Sequence, residues 1–117
     1  MKAIIKGYYS PDVDFENFAP KTDNWSFLLQ LAVGPSDGEG EESFDIIVCS
    51  PEHIAEMVAH DGIVNGRHTL IASDVSKVKP YIEKYVTSNA IGDTWQDVAN
   101  KLCQLGHWEF EDYRETS

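Results

Sequence analysis

Hydrophobic residues at every second position predict five β-strands along this chain. The predicted strands are residues 2–9, 25–33, 43–49, 67–72 and 107–113. The second strand is the clearest, because its odd-numbered positions from Trp25 to Val33 are all apolar and form one continuous row. In the last strand, Trp108 and Phe110 are expected to face the interior of the protein.

Three further segments repeat their hydrophobic residues at helical spacing. Ser50 is expected to cap the first helix, with Pro51 at its first position and Gly62 just after its end. The second helix must hold Pro80 in or near its first turn, since proline deeper inside would break the hydrogen-bond ladder.

The third helix is the best specified of the three. Asp93 or Thr94 is expected to cap its start, and Gly106 is expected at the C′ position after its end. The predicted buried stripes of the three helices are, in chain order, Ile54, Met57 and Val58; Val78, Ile82, Tyr85 and Val86; and Trp95, Val98, Ala99, Leu102 and Cys103.

The order of these elements predicts an α+β fold. Hairpins with polar turns, without a regular βαβ alternation, favour a mainly antiparallel sheet of about five strands with three helices packed on it. The 117 residues, 42% of them hydrophobic, are enough to bury a core without disulfides or metals. We therefore expect a single domain that spans residues 1–117.

Negative charge is concentrated in two parts of a chain whose net charge is −11. Between Lys21 and Arg67 there is no Lys or Arg, and the carboxylates there are Asp23, Asp37, Glu39, Glu41, Glu42, Asp45, Glu52, Glu56 and Asp61. Four of these crowd into residues 34–42, which the flanking strands predict to be a Gly-rich hairpin loop. The second group, near the end of the chain, is Glu109, Glu111, Asp112 and Glu115.

This charge distribution favours some partners over others. Self-repulsion among the carboxylates is relieved by a partner of opposite sign, which is also steered in faster, although acidity can serve solubility alone. Nucleic-acid binding needs a basic face, and so the charge argues against it. The longest apolar runs are too short to span a membrane and no signal peptide is evident, which predicts a cytoplasmic protein without a membrane partner.

The sequence offers little catalytic chemistry and no indication of a cofactor. It has no Gly-rich phosphate loop, nucleophile elbow or paired-Cys metal motif. His53, Glu56 and His60 share one helical face, but their spacing differs from the His-Glu-x-x-His arrangement of zinc enzymes, and we expect them to be solvated or capping residues. Cys49 and Cys103 lie within apolar patterns and are expected to be free thiols, with no nucleophilic role for Cys49. We therefore predict no catalytic residue and no metal ligand.

Several short motifs resemble the immunity protein 8 family of bacterial polymorphic toxin systems. They are SPDVD (10–14), FLLQ followed by GP (27–30 and 34–35), GEESFD (40–45), GRH (66–68), IEKYV (82–86), GDTW (92–95) and GHWEFEDY (106–113). The resemblance covers nearly the whole chain in order and spacing. It implies a small cytoplasmic protein, encoded beside a toxin, that binds the toxin domain and blocks it.

The resemblance and the residue patterns together predict a non-enzymatic inhibitor of a basic toxin domain, for example a nuclease, that acts by steric and electrostatic occlusion. The expected toxin-binding residues are Asp37, Glu39, Glu41 and Glu42 in the loop, followed by Glu109, Glu111 and Asp112 in the last strand. Two alternatives stay open, a small metal-dependent hydrolase using His53, Glu56 and His60, and a regulatory interaction subunit without a toxin. The sequence does not indicate the oligomeric state.

Overall fold

A five-stranded sheet organises the fold in the computed structural model, which describes residues 1–110. The strands are β1 (Ala3–Tyr9), β2 (Ser26–Pro35), β3 (Glu42–Cys49), β4 (Thr69–Ile71) and β5 (His107–Trp108). The α-helices are α1 (Pro51–Asp61), α2 (Val78–Asn89) and α3 (Trp95–Leu102), and short 3-10 turns occur at Phe15–Asn17 and Val75–Lys77. The predicted α+β class is confirmed for these residues.

The sheet is antiparallel except at one edge. β1, β2 and β3 form an antiparallel meander, and β3 then pairs with two short strands on its other side. β4 runs parallel to the second half of β3, opposite residues 47–49, after the crossover through α1. β5 runs antiparallel beside the first half, where Phe44 faces Trp108 and Asp45 faces His107. The last strand therefore meets β3 next to the loop that connects β2 to β3.

The hydrophobic core lies between one face of the sheet and helices α2 and α3. The alternating residues of β2 and β3 all point to this face, as their pattern predicted. The core residues of these four elements are Phe27, Leu29, Leu31, Val33, Phe44, Ile46, Val48, Val78, Ile82, Val86, Val98, Ala99 and Leu102. Burial of these side chains provides the main driving force for folding.

Helix α1 has its predicted ends but not its predicted buried stripe. Ser50 caps its start and Gly62 ends it in the left-handed conformation, at φ 83°. None of its residues is buried, and Val58 is 42% exposed. The stripe of Ile54, Met57 and Val58 was therefore wrongly assigned to the core. The physical reason is that α2 and α3 fill the core, to which α1 contributes no residue.

The C-terminal part of the described chain corrects two further predictions. β5 ends at Trp108, and Phe110 is 44% exposed, so its predicted inward orientation was wrong. Gly106 is not a left-handed cap, because α3 ends at Leu102, its C-cap residue Cys103 has ordinary helical geometry, and Gly106 has no positive φ. Gly106 instead lies close against β3, where an added β-carbon would be 2.9 Å from Cγ1 of Ile46.

Candidate protein-binding surface

The acidic loop, defined here as residues 36–41, is fastened to the sheet at several points. Lys6 donates a hydrogen bond from Nζ to the carbonyl oxygen of Gly38 at 2.7 Å, and the Ser36 N–H donates to the carbonyl of Lys2 at 2.9 Å. The loop also folds back over Gly34, where any side chain would collide with the carbonyl oxygen of Gly40. These contacts give the loop a defined shape before any partner binds.

Three of the predicted contact residues are displayed freely on this loop. Asp37, Glu39 and Glu41 are all exposed. Within residues 1–110 none of the three carboxylates accepts a hydrogen bond or pairs with a cation. Lys6 reaches the loop through the Gly38 carbonyl and forms no ion pair with these carboxylates, so most of their negative charge is available to a partner.

The other two predicted carboxylates within the described range have structural contacts. Trp108 donates from Nε1 to Oε1 of Glu42 at 2.8 Å. Glu109 accepts at Oε1 from the Ser43 N–H at 2.9 Å, and its own N–H donates to the Ser43 carbonyl at 3.1 Å. Both carboxylates thus fasten β5 to β3. The remaining predicted contacts, Glu111 and Asp112, lie outside the described residues.

An aromatic groove lies beside the acidic loop. It encloses about 450 Å³ and is lined by Glu42, Trp95, Gln96, Asn100, Cys103, Trp108 and Phe110. A smaller hollow of about 300 Å³ adjoins it, with Glu39 and Glu41 on one side and Glu42 and Trp95 shared between the two. The charged loop and the aromatic groove therefore form one continuous surface.

The aromatic rings of the groove are held in fixed positions. Thr94 and Asp97 form a capping box at the start of α3, which places Trp95 at the first helical position. The Phe44 ring packs between the two indoles, with its centroid 6.4 Å from Trp95 in an edge-on arrangement and 6.4 Å from Trp108 in a stacked one. The Nε1 atom of Trp95 is buried and finds no hydrogen-bond partner among residues 1–110.

Sequence reasoning missed this groove because it assigned Trp95, Trp108 and Phe110 to the core. Trp95 is only half-buried, while Phe110 is exposed and contacts Trp108 edge-on at 5.8 Å. Two signals could have indicated the groove. Trp95 directly follows its cap, at a helix end that borders solvent, and Phe110 alternates with carboxylates at the end of the described chain.

The candidate metal ligands on α1 do not form a common site in the structure. Asn24 bridges two of them, donating to Glu56 Oε2 and contacting His53 Nδ1 through its Oδ1 at 3.1 Å. His60 instead pairs with the neighbouring Asp61 at 2.9 Å and points into solvent. No group of three or more His, Cys, Asp or Glu within residues 1–110 is placed to hold a metal ion.

The remaining histidines and cysteines are explained by packing, hydrogen bonding and burial. His68 and His107 are brought together, with ring centroids 5.6 Å apart, and His68 Nε2 lies 2.7 Å from the carbonyl oxygen of Cys103. Cys49 and Cys103 are not joined by a disulfide, Cys103 Sγ donates to the Asn100 carbonyl at 3.1 Å, and Cys49 is completely buried on the sheet. Burial raises the pKa of the Cys49 thiol, which disfavours the nucleophilic thiolate.

A further cavity, of about 710 Å³, lies between the Phe15–Asn17 turn and α2. Lys79 contacts Glu16 there at 3.2 Å and lies 5.2 Å from the centre of the Tyr8 ring, and the exposed carboxylate of Glu83 also lines the cavity. Burial, followed by repulsion from Glu83 and Glu16, raises the pKa of Tyr8 to about 12. This cavity shares no residue with the acidic loop or the aromatic groove.

The fold and surface define a small acidic α+β protein with an anchored loop beside an aromatic groove. The chain belongs to the Immunity protein 8 family, whose model matches residues 3–113. Membership makes this an immunity protein and implies a protein toxin as its partner. Comparisons with curated proteins and with solved structures found no significant match. No helix within residues 1–110 has the length and hydrophobicity needed to cross a lipid bilayer.

Proposed function

We propose that this protein neutralises the toxin domain of a bacterial polymorphic toxin system by binding it, without catalysis, through the acidic loop. The partner surface is basic, as the substrate cleft of a nuclease would be. The observation that supports this most directly is the exposure of Asp37, Glu39 and Glu41 on an anchored loop, where none of the three forms an ion pair within residues 1–110.

The anchoring of the loop favours binding as well as display. A loop that already has its bound shape loses less conformational entropy on association than a flexible one. Lys6 contributes to this order through its bond to Gly38, and Gly34 does so by leaving room for the Gly40 carbonyl. Charges at the rim of an interface mainly raise the association rate, and the effect weakens as salt increases.

The carboxylates near β5 form the second part of the proposed contact region. Glu42 and Glu109 keep their bonds to Trp108 and Ser43, and so they contribute charge from fixed positions. Glu111 and Asp112 follow directly in the sequence and are retained as candidate contacts. Together with the loop they would cover a basic cleft and exclude its substrate.

The test removes the free loop charges while leaving the structural ones. In the variant Asp37→Asn/Glu39→Gln/Glu41→Gln, Glu42 stays because it holds Trp108 in place. Association with the toxin domain encoded beside the gene would be measured by stopped flow at two ionic strengths. We expect the variant to associate at least about tenfold more slowly and with a flatter salt dependence, which is the low end of electrostatic steering effects.

A matched control removes the same charge elsewhere. Asp23→Asn/Glu52→Gln/Glu83→Gln neutralises three exposed carboxylates outside the proposed surface. This control should keep most of the association rate. Equal rates and equal salt dependence in both triple variants would show that the loop has no special role in binding. Cells that express the toxin should lose protection when they carry the loop variant and should stay protected when they carry the control variant.

A further inference from the structure

The aromatic groove beside the acidic loop has the composition of a cation-binding site. Its walls include the half-buried indole of Trp95 and the exposed ring of Phe110, while Trp108 is only 7% exposed and contributes a small part of its indole. Aromatic faces attract cations, indole faces most strongly, and arginine is the cation found there most often.

The polar groups of the groove also suit a bound cation. Glu42 uses Oε1 to accept from Trp108, and within residues 1–110 its Oε2 has no partner. Gln96 and Asn100 add amide groups at the same wall and are bonded to each other at 3.1 Å. No Lys or Arg of the described chain lines the groove. Lys101, which follows Asn100 in the sequence, donates from Nζ to the Ile91 carbonyl instead.

We infer that this groove receives an arginine side chain from the partner protein. A planar guanidinium can stack on the accessible parts of the Trp95 and Phe110 rings and donate at the same time to the Glu42 carboxylate and the amide oxygens. A lysine ammonium, as a compact and strongly hydrated charge, would use the flat walls less well. The inference rests on the proposed function for the identity of the partner, and it adds the chemical group that the partner inserts.

The first test uses the isolated full chain and a short peptide as probe. An acetylated Gly-Arg-Gly amide would be titrated while the indole N–H resonances are followed by NMR. The Trp95 and Trp108 resonances should shift. The Trp25 resonance should stay in place as an internal control, because the Trp25 ring contacts Phe18 and Phe27 and does not line the groove. The same peptide with citrulline in place of arginine has a similar shape without the charge, and it should cause little shift.

A pair of variants at one exposed position tests the charge preference without disturbing the core. Gln96 lies on the surface of α3, and both Lys and Glu are good helix formers. Gln96→Lys should lower the affinity for the arginine peptide about tenfold through like-charge repulsion, whereas Gln96→Glu should raise this affinity. Equal affinities for both variants, equal shifts with the citrulline peptide, or shifts that depend only on protein concentration would overturn the assignment.

The toxin complex separates this inference from the proposed function. Gln96→Lys should speed dissociation of the toxin domain about tenfold, because a desolvated contact acts mainly on the dissociation rate. If only the loop variant impairs the complex, the proposed function stands and the arginine assignment fails. If the protein binds the arginine peptide at Trp95 and Trp108 but no toxin, the assignment of a cation groove stands and the proposed partner is wrong.

Discussion

Helices α1 and α3 begin with caps of the same type but differ in what they bury. Ser50 caps α1 and Thr94 caps α3, and in each case the side chain accepts from a backbone N–H three residues on. α3 places Val98, Ala99 and Leu102 in the core, while no residue of α1 is buried. A cap fixes where a helix starts, whereas the space left by the other elements decides what the helix packs against.

The difference also separates two surfaces. The α3 side contains the acidic loop and the aromatic groove, supported by buried packing underneath. The α1 side is tied to the preceding loop by polar contacts of Asn24 with His53 and Glu56. Rigid elements hold binding groups more accurately than loosely packed ones, and so the candidate surface lies on the better supported side.

The largest expected contrast is between two truncations of hydrophobic side chains, one in α3 and one in α1. Leu102→Ala should lower the free energy of unfolding by about 2–5 kcal/mol, because it removes a fully buried side chain. Met57→Ala, a half-buried position on α1, should cost about 1 kcal/mol or less. Urea denaturation followed by circular dichroism measures both. Similar losses would show that α1 contributes to the core as much as α3 does.

A second contrast compares the glycines that follow the two helices. Gly106→Ala should cost about 1–3 kcal/mol by overpacking, since its methyl group would lie 2.9 Å from Cγ1 of Ile46 and 3.2 Å from backbone atoms of Phe44 and Asp45. Gly62→Ala has open space and should lose only about 1 kcal/mol, from the strain of φ +83°.

The two glycine variants should also differ in a spectroscopic readout. Moving Gly106 away from β3 would shift β5, and the near-ultraviolet circular dichroism of Trp108 should change with it. Gly62→Ala should leave that signal as it is. An unchanged aromatic spectrum in Gly106→Ala would mean that β5 does not depend on the close approach of this glycine.

The smallest contrast concerns the caps. Here the larger loss of stability is expected in α1 and the smaller in α3, the opposite of the truncations. Ser50 Oγ accepts from both the Trp25 N–H at 3.1 Å and the His53 N–H at 3.2 Å, and the residue is buried. Ser50→Ala should therefore cost about 2 kcal/mol, more than the roughly 1 kcal/mol expected for Thr94→Ala. Thermal unfolding would rank them, with Thr94→Ser as a near-neutral control. A larger loss at Thr94 would show that the second bond of Ser50 adds no stability.

Much of the local structure was predictable because it depends on neighbouring residues. The alternating row from Trp25 to Val33 identified β2 and its buried face, and the prediction was confirmed. Ser50-Pro51 and Gly62 located α1, and Thr94 located α3. The position of the acidic loop followed from the two strands around it. Period, caps and turn residues are short-range signals, and so the sequence displays them directly.

The candidate surface was only half predictable. The concentration of carboxylates was visible in the sequence, and the exposure of Asp37, Glu39 and Glu41 agrees with a display loop. The sequence did not show which of these carboxylates are bonded within the protein and which are not. Glu42 is bonded to a residue 66 positions away, and Glu109 to Ser43 over the same separation. Long-range pairing of this type leaves no periodic trace in the sequence.

By itself, the sequence determined the family, the α+β class, both ends of α1, the start of α3 and the acidity of one loop, because each depends on local pattern or composition. Only the tertiary structure decided that α1 lies outside the core and that Gly106 is needed against β3. It also decided that Trp95, Trp108 and Phe110 open into a groove beside that loop. The reason is that burial is settled by competition for a limited interior. Once α2 and α3 occupy one face of the sheet, the remaining hydrophobic residues must share the surface with the charged ones.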